Sequence, residues 1–239
     1  MTHFTPHDAY LLNQRYRGAD TSDLLRQVIA DQSLGRLALV SSFGAESAVL
    51  LHLVAGIDNR LPVLMIDTLR LFPETIAYRD TLTHRLGLAD VRTIQPQPEV
   101  IAARDEKALR WSYDPDGCCA IRKVEPLRRA LEGFDSWISG RKAFQSSGRS
   151  AIPRFEEEDR RIKINPLADW SRERLEDYLD AHDLPRHPLE AMGYLSIGCM
   201  PCTSPVQPGE DPRAGRWRGW EKTECGIHGG PEEPDQPVF

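Results

Sequence analysis

The chain has 239 residues, of which 40% are hydrophobic and 28% charged, and it carries a formal net charge of −6. These values are ordinary for a globular protein with one large core, and the acidic balance disfavours a nucleic-acid coat. No apolar run approaches the roughly 18 residues that a membrane span needs. The first eight residues lack the basic and apolar stretches of an export signal, so we expect a cytoplasmic protein.

Helical and strand patterns alternate along the chain. Residues 1–34 have helical apolar spacing, and the acidic run 156–159 is expected to be a solvated turn. Five short apolar runs predict buried strands, at 36–40, 61–66, 91–94, 137–139 and 162–164. Four further segments have helical patterns, at 48–54, 75–86, 122–131 and 167–182. The alternation predicts an α/β fold with a mainly parallel sheet and flanking helices.

A loop of small and hydroxyl residues follows the first predicted strand and leads into a helix. Backbone N–H groups and the positive end of the dipole make a helix N-terminus suitable for binding an anion. An ordinary βα loop with a serine cap is the alternative interpretation. The position after the first strand favours ligand binding. The candidate residues of this loop are Ser41, Ser42, Phe43, Gly44, Ala45, Glu46 and Ser47.

The second predicted strand ends in a further candidate segment. Asp67 stands directly after the strand, at the edge where open α/β sheets bind ligands. Thr68 and Leu71 follow it, and Pro73 then opens the next helix. We therefore expect Asp67, Thr68 and Leu71 to contribute to the same site as the first loop.

The five cysteines form two pairs and one single residue. An odd number disfavours the disulfide framework of a small secreted protein, and buried small hydrophobes are the other simple interpretation. Cys118 and Cys119 are adjacent, while Cys199 and Cys202 form a C-x-x-C motif. Four thiolates fit either zinc or an iron–sulfur cluster, and adjacent cysteines are awkward in a zinc knuckle, which favours iron–sulfur without deciding it. The remaining Cys225 is a candidate nucleophile.

Together these motifs resemble the assimilatory adenylyl-sulfate reductases, within the adenylyl- and phosphoadenylyl-sulfate reductase group. The resemblance covers residues from about 36 to 228 and rests on five segments in the family's order: Ser-Phe-Gly-Ala-Glu-Ser, Asp-Thr…Phe-Pro-Glu-Thr, Cys-Cys-Ala-Ile-Arg-Lys, Gly-Cys-Met-Pro-Cys-Thr and Lys-Thr-Glu-Cys-Gly-Ile-His. It implies an adenine nucleotide alpha hydrolase-like fold related to ATP pyrophosphatases. It also implies reduction of adenylyl sulfate to sulfite and AMP in sulfate assimilation, with electrons from thioredoxin or glutaredoxin.

The resemblance further implies roles for individual residues. A [4Fe-4S] cluster that tunes the site without carrying the electrons would be held by Cys118, Cys119, Cys199 and Cys202. Cys225 would attack the sulfate sulfur to give S-sulfocysteine, which thioredoxin then reduces. The phosphosulfate would lie among cationic side chains, those of Lys123, Arg149, Arg213, Arg216 and His228.

Several alternatives and departures stay open. An enzyme for the 3′-phosphorylated substrate, or for both substrates, is the nearest alternative, although four cluster cysteines usually accompany the unphosphorylated one within this resemblance. A tRNA-thiolation-type ATP pyrophosphatase is more distant, since its Ser-Gly-Gly-x-Asp-Ser loop is not present. Leu69 stands where the family usually has glycine, and the loop at 142–144 is unusual. We expect one reductase domain at 1–206 and a C-terminal segment at 207–239 with Cys225 and a flexible tail; a homo-oligomer is left open.

Overall fold

The computed structural model describes residues 3–145, 152–222, 224 and 226–227. Its centre is a six-stranded sheet with the spatial order β3-β2-β1-β4-β6-β5. In chain order the strands are β1 (Leu37–Val40), β2 (Val63–Ile66), β3 (Val91–Ile94), β4 (Ser136–Ser139), β5 (Phe155–Glu158) and β6 (Arg161–Ile164). All neighbouring strands pair in parallel except β5 and β6, which are antiparallel. The predicted α/β class with a mainly parallel sheet is confirmed.

Helices cover both faces of this sheet. They are α1 (Pro6–Arg15), α2 (Thr21–Ala30), α3 (Ser47–Ala55), α4 (Pro73–Leu86), α5 (Pro98–Arg104), α6 (Pro115–Cys119), α7 (Glu125–Ala130) and α8 (Arg172–Ala181). A π-helical turn, Ala120–Val124, joins α6 to α7. Short 3₁₀ turns lie at Gln32–Leu34, Arg110–Ser112, Ala143–Gln145, Glu190–Met192 and Met200–Cys202. Within the described ranges, none of the helices is long and apolar enough to cross a membrane.

The central strands hold the two sides of the core together. Strands β2 and β4 are buried at all four positions, as expected for parallel strands covered on both faces. On one face, residues of α2, α3 and α8 such as Leu25 and Leu175 pack around Ile138. On the other face, Leu127 of α7 packs with Leu64 and Trp137. Apolar burial from both sides therefore fixes the strand ends that carry the candidate loops.

The expectation of a solvated turn at 156–159 is wrong, because most of this run forms the edge strand β5. Asp159 and Arg160 have φ values of 52° and 61°, which suits a tight two-residue hairpin turn into β6. The carboxylate of Glu158 lies 2.5 Å from Nζ of Lys163, which is 1% exposed. Lys163 also lies 5.0 Å from the ring centroid of Trp137. The acidic strand is thus needed to pair a buried cation, since an isolated buried charge is very costly.

His187 makes the stability of the fold sensitive to acid. Its buried ring accepts a hydrogen bond at Nδ1 from the Leu189 N–H, so Nε2 carries the proton and donates to Thr75 Oγ1 at 3.0 Å. Burial lowers the pKa of His187 from 6.5 to about 4. The unfolded chain therefore takes up a proton at a higher pH than the folded chain does. The stabilisation is complete above pH 6.5 and is lost as the pH falls toward 4, by about 2 kcal/mol between pH 7 and pH 5.

Urea unfolding at pH 7 and pH 5 tests this expectation in the wild type and in His187→Gln. The variant is less stable at pH 7, and its free energy of unfolding should fall by about 2 kcal/mol less than that of the wild type. All other titratable groups are the same in both proteins. The difference between their losses of unfolding free energy from pH 7 to pH 5 therefore isolates His187. Equal losses of unfolding free energy in the two proteins would contradict this role of His187.

Candidate active site

A cavity of about 250 Å³ opens at the carboxyl ends of β1, β2 and β4. The chain runs from β1 outward to β2 and β3 and then returns to place β4 on the other side of β1. This reversal of strand order is the position at which open α/β sheets bind ligands. The sheet topology therefore identifies the cavity as the candidate active site.

The first predicted loop forms a large part of the cavity wall. Ser41, Ser42 and the run 44–47 all line the cavity. Phe43 lies instead in the hydrophobic core, with a φ of 49°, and its backbone N–H donates to Ser41 Oγ at 3.2 Å. The bend at Phe43 turns the loop so that α3 begins at Ser47 beside the cavity. Phe43 thus shapes the loop from behind.

Glu46 is held by two cations that sequence reasoning did not assign to the site. Its carboxylate lies 2.7 Å from Nζ of Lys142 and 3.7 Å from Nη1 of Arg172. All three residues line the cavity, and the side chain of Lys142 is 5% exposed. The two cations offset the negative charge of Glu46, so the loop can still receive an anionic ligand. The unusual sequence at 142–144 was the available signal for Lys142.

The second predicted loop divides between the cavity and the outside of the sheet. Thr68 and Leu71 line the cavity. Asp67 is not part of the cavity wall; its carboxylate accepts hydrogen bonds from the Leu69 N–H at 2.9 Å and from Gln95 Nε2 at 2.8 Å. Leu69 has a φ of 59°, a left-handed conformation that costs a non-glycine residue about 1–2 kcal/mol. A glycine at this position would avoid that cost.

Cationic side chains form another part of the cavity wall, called here the cationic wall. Lys123, Arg213 and Arg216 all line the cavity, and their predicted contact with the phosphosulfate stays a prediction. Arg213 pairs with Glu224 at 3.5 Å, and Nε of Arg216 donates to the carbonyl of Cys202 at 3.4 Å. Three of the predicted site residues lie outside the described residues: Arg149, Cys225 and His228. Their roles stay predictions, as does the domain boundary at 206–207.

Gly198 gives the guanidinium of Arg216 the space it occupies. A Cβ at residue 198 would clash with that guanidinium, whereas a Cβ at Gly140, also in the cavity wall, would meet only Leu50 Cδ2 at an ordinary 3.7 Å. If Arg216 binds the nucleotide phosphate, as the resemblance implies, we expect Gly198→Ala to weaken AMP binding about tenfold, because the added Cβ displaces the guanidinium. Calorimetric titration with AMP measures the change, and Gly140→Ala is the matched control. Similar affinities for the two variants would contradict this role of Gly198.

Two cysteine segments meet beside the cavity. Cys118 and Cys119 lie at the end of α6, and Cys199 forms an isolated antiparallel bridge with Leu71. Thr68 joins this region to the cavity: its Oγ1 lies 3.2 Å from Cys199 Sγ, and its carbonyl accepts from Nη1 of Arg122 at 3.0 Å. Arg122 is itself buried and pairs with Asp105 at 2.7 Å. A network of buried polar groups therefore connects the thiols with the ligand site.

The thiols share one electrostatic environment. Burial raises the pKa of Cys118 to about 11, with Cys199 and Cys202 adding to the effect and Arg122 opposing it. Burial also raises the pKa of Cys202, while the charges of Lys123, Arg216 and Lys222 lower it. Within the described residues no group of three or more His, Cys, Asp or Glu side chains is placed to hold a metal ion. The charges of nearby Arg122, Lys123, Arg216 and Lys222 would offset negative charge on thiolates at Cys118 and Cys202.

Comparisons with known proteins agree with this geometry. Residues 36–205 match the phosphoadenosine phosphosulfate reductase domain. The chain is 53% identical over 192 residues to the adenosine 5′-phosphosulfate reductase of Mesorhizobium japonicum, across 80% of this chain and 76% of that protein. The crystal structure of phosphoadenylyl-sulfate reductase from Candida auris is similar with a TM-score of 0.72 and 25% identity, covering 85% of this chain and 98% of that one.

A more distant structural neighbour shares the fold alone. Yeast FAD synthetase aligns with a TM-score of 0.54 at 16% identity, over 84% of this chain and 75% of that one. Together with the Candida auris reductase, this likeness confirms the predicted adenine nucleotide alpha hydrolase-like fold. The fold and the family match define a reductase that acts on a sulfur group. The chain belongs to the phosphoadenosine phosphosulfate reductase domain family.

Proposed function

We propose that this chain reduces adenylyl sulfate to sulfite and AMP in sulfate assimilation, in the cytoplasm. One observation carries the proposal: most residues of the two family loops, three of the predicted cations and residues on both sides of position 225 line one cavity at the reversal point of the sheet. The cations are Lys123, Arg213 and Arg216. The flanking residues are Glu224 and Ile227. The name of the Mesorhizobium relative supports the same reaction.

The first half-reaction is a displacement at sulfur. The Cys225 thiolate attacks the sulfate sulfur, the bond between that sulfur and the bridging phosphate oxygen breaks, and AMP leaves with the electron pair. Negative charge grows on the leaving phosphate, where fixed cations are most effective. Lys123 and Arg216 in the cavity wall are suited to this role. The product on the enzyme is S-sulfocysteine.

The second half-reaction returns the enzyme to its thiol form. A thiolate of reduced thioredoxin attacks Sγ of the S-sulfocysteine, which releases sulfite and forms a mixed disulfide. The second thioredoxin cysteine then attacks that disulfide and restores Cys225 as a thiol. Thioredoxin thus supplies both electrons and becomes oxidised. Glutaredoxin could serve by the same chemistry.

A [4Fe-4S] cluster is the cofactor that the cysteine quartet supports best. Cys118 and Cys119 would ligate it from α6. Cys199 and Cys202 would ligate it from the Met200–Cys202 turn and the residue before it, where Cys199 bridges Leu71. When bound, the cluster supplies electrostatic tuning of the site rather than electrons. Four thiolates can also hold zinc, and elemental analysis of the purified protein separates the two.

Sulfite release from anaerobically purified protein with reduced thioredoxin tests the proposed function. Adenylyl sulfate and its 3′-phosphorylated form are compared at equal concentration. Strong preference for adenylyl sulfate supports the proposal, while equal use identifies a dual-substrate enzyme. Preference for the 3′-phosphorylated form would assign the activity that the Candida auris reductase is named for. No release from either substrate would refute the proposed reaction.

A further inference from the structure

Trp217 lies at the centre of the cationic wall. It is 4% exposed and lines the cavity. Its ring centroid lies 4.3 Å from Cζ of Arg216, 5.9 Å from Cζ of Arg213 and 5.7 Å from Nζ of Lys222. A cation over the face of tryptophan is attracted by the ring quadrupole. One side chain therefore helps to hold two cations of the cavity wall, Arg213 and Arg216, and a third cation outside it, Lys222, which also pairs with Asp116.

The backbone fixes Trp217 against the C-x-x-C turn. Its N–H donates to the carbonyl of Cys202 at 3.1 Å, and Arg216 forms an isolated antiparallel bridge with Thr203. A Cβ at Gly215 would clash with the carbonyl of Ser204, so the two segments approach as closely as backbones allow. Trp217 also has a φ of 47°, and a bulky residue keeps this conformation only where its surroundings impose it. The position of the backbone at Trp217 is thus set by the fold.

The indole N–H of Trp217 lacks a hydrogen-bond acceptor within the described residues. Its Nε1 is buried and has no hydrogen-bond partner within the described part of the chain. Buried tryptophan N–H groups usually find an acceptor. Arg213 pairs with Glu224 and Lys222 with Asp116, so the attraction of an anion to this wall rests mainly on Arg216, and an anionic oxygen is a strong acceptor. The missing partner is therefore best supplied by the ligand.

We propose that Trp217 is a substrate-binding residue whose indole N–H donates to an anionic oxygen of the phosphosulfate while its ring positions Arg216 and Lys222. The inference rests on the proposed function for the identity of the ligand, but the contact needs only a nucleotide phosphate. Loss of a donor that binds the ligand equally in the ground state and the transition state raises KM and leaves kcat unchanged. Loss of a merely structural residue would instead lower stability and kcat together.

Titration of the tryptophan indole NMR signals with AMP and with adenosine tests the contact directly. The chain has five tryptophans, and Trp217→Phe assigns the relevant signal by its disappearance. We expect AMP to shift that signal and adenosine, which has no phosphate, to leave it nearly unmoved. Should Trp217→Phe fail to fold, substitution of the other four tryptophans assigns the signal by elimination.

Kinetics with adenylyl sulfate separate the two roles of the side chain. Trp217→Phe keeps an aromatic ring and loses the N–H, and we expect KM to rise about tenfold with kcat within twofold of wild type. Trp217→Leu removes the ring as well and should lower kcat/KM about 100-fold. Trp220→Phe is the matched control, since Trp220 is 44% exposed and lies outside the cavity wall.

The outcomes distinguish this inference from the proposed function. An indole signal that AMP does not move, an equal shift with adenosine, or a wild-type KM in Trp217→Phe would each overturn the inference. A wild type that is inactive with adenylyl sulfate, but whose Trp217 signal shifts with AMP and not with adenosine, would refute the proposed reaction and leave the contact standing. A shift with AMP together with the higher KM supports both.

Discussion

Replacement of Cys225 by serine is expected to lower sulfite production by about 10⁴-fold or more. A serine hydroxyl is far less acidic than a thiol, so almost no nucleophile is present at neutral pH. A sulfate ester on serine would also have no Sγ for thioredoxin to attack. Single-turnover assays with adenylyl sulfate measure AMP release, and intact-protein mass spectrometry detects the covalent sulfo group. The wild type should carry that group when thioredoxin is omitted, and Cys225→Ser should not.

The control for this prediction must leave the remainder of the site intact. Glu221→Gln changes an exposed residue of the same segment and should retain wild-type turnover. Cys225→Ser itself should still bind AMP, because the cavity-lining cations Lys123 and Arg216 are unchanged. Turnover by Cys225→Ser, or a sulfo group on that variant, would assign the nucleophile to another residue.

The sheet could be predicted because its central strands follow simple patterns. Buried parallel strands are continuous apolar runs, and β2 and β4 have this character. Strand β5 was missed because its sequence has neither an apolar run nor alternating apolar residues: three consecutive glutamates follow Phe155. Its stability depends on Lys163, which is buried only because β6 lies between β4 and β5. A long-range ion pair of this kind leaves no local signal in the sequence.

The same limit applies to the candidate site. Loops that follow parallel strands meet at one edge of the sheet, so residues such as Ser41 and Thr68 could be placed together in advance. The pairing of Glu46 with Lys142 joins residues 96 positions apart, and the contact of Thr68 with Cys199 spans 131 positions. Trp217 stands in a segment with no periodic pattern. These contacts depend on how separate segments pack, and only the three-dimensional structure reveals them.

Replacement of Cys199 by serine is expected to remove iron and activity together. In a [4Fe-4S] cluster each of four cysteines holds a different iron, so loss of one thiolate leaves one iron without its protein ligand. The side chain next to Cys199 is Thr68, whose hydroxyl at 3.2 Å is a poor ligand for iron. Iron content should fall from about four atoms per chain to less than one, with loss of the visible absorption. Iron and sulfide analysis after anaerobic purification measures the change.

Two matched variants separate the ligand role from the chemistry. Thr68→Val removes the hydroxyl beside Cys199 and keeps all four thiols, so the protein should retain its iron. Cys225→Ser should also retain iron while losing turnover. If Cys225 were a ligand, this variant would lose iron as well. An active, iron-replete Cys199→Ser would exclude Cys199 from the ligand set. Zinc in place of iron in the wild type would keep the quartet as a metal site but refute the cluster. Iron loss in Cys199→Ser but not in Cys225→Ser, with turnover lost in both variants, would assign Cys199 to the metal site and Cys225 to sulfur transfer. The two substitutions would then impair different steps.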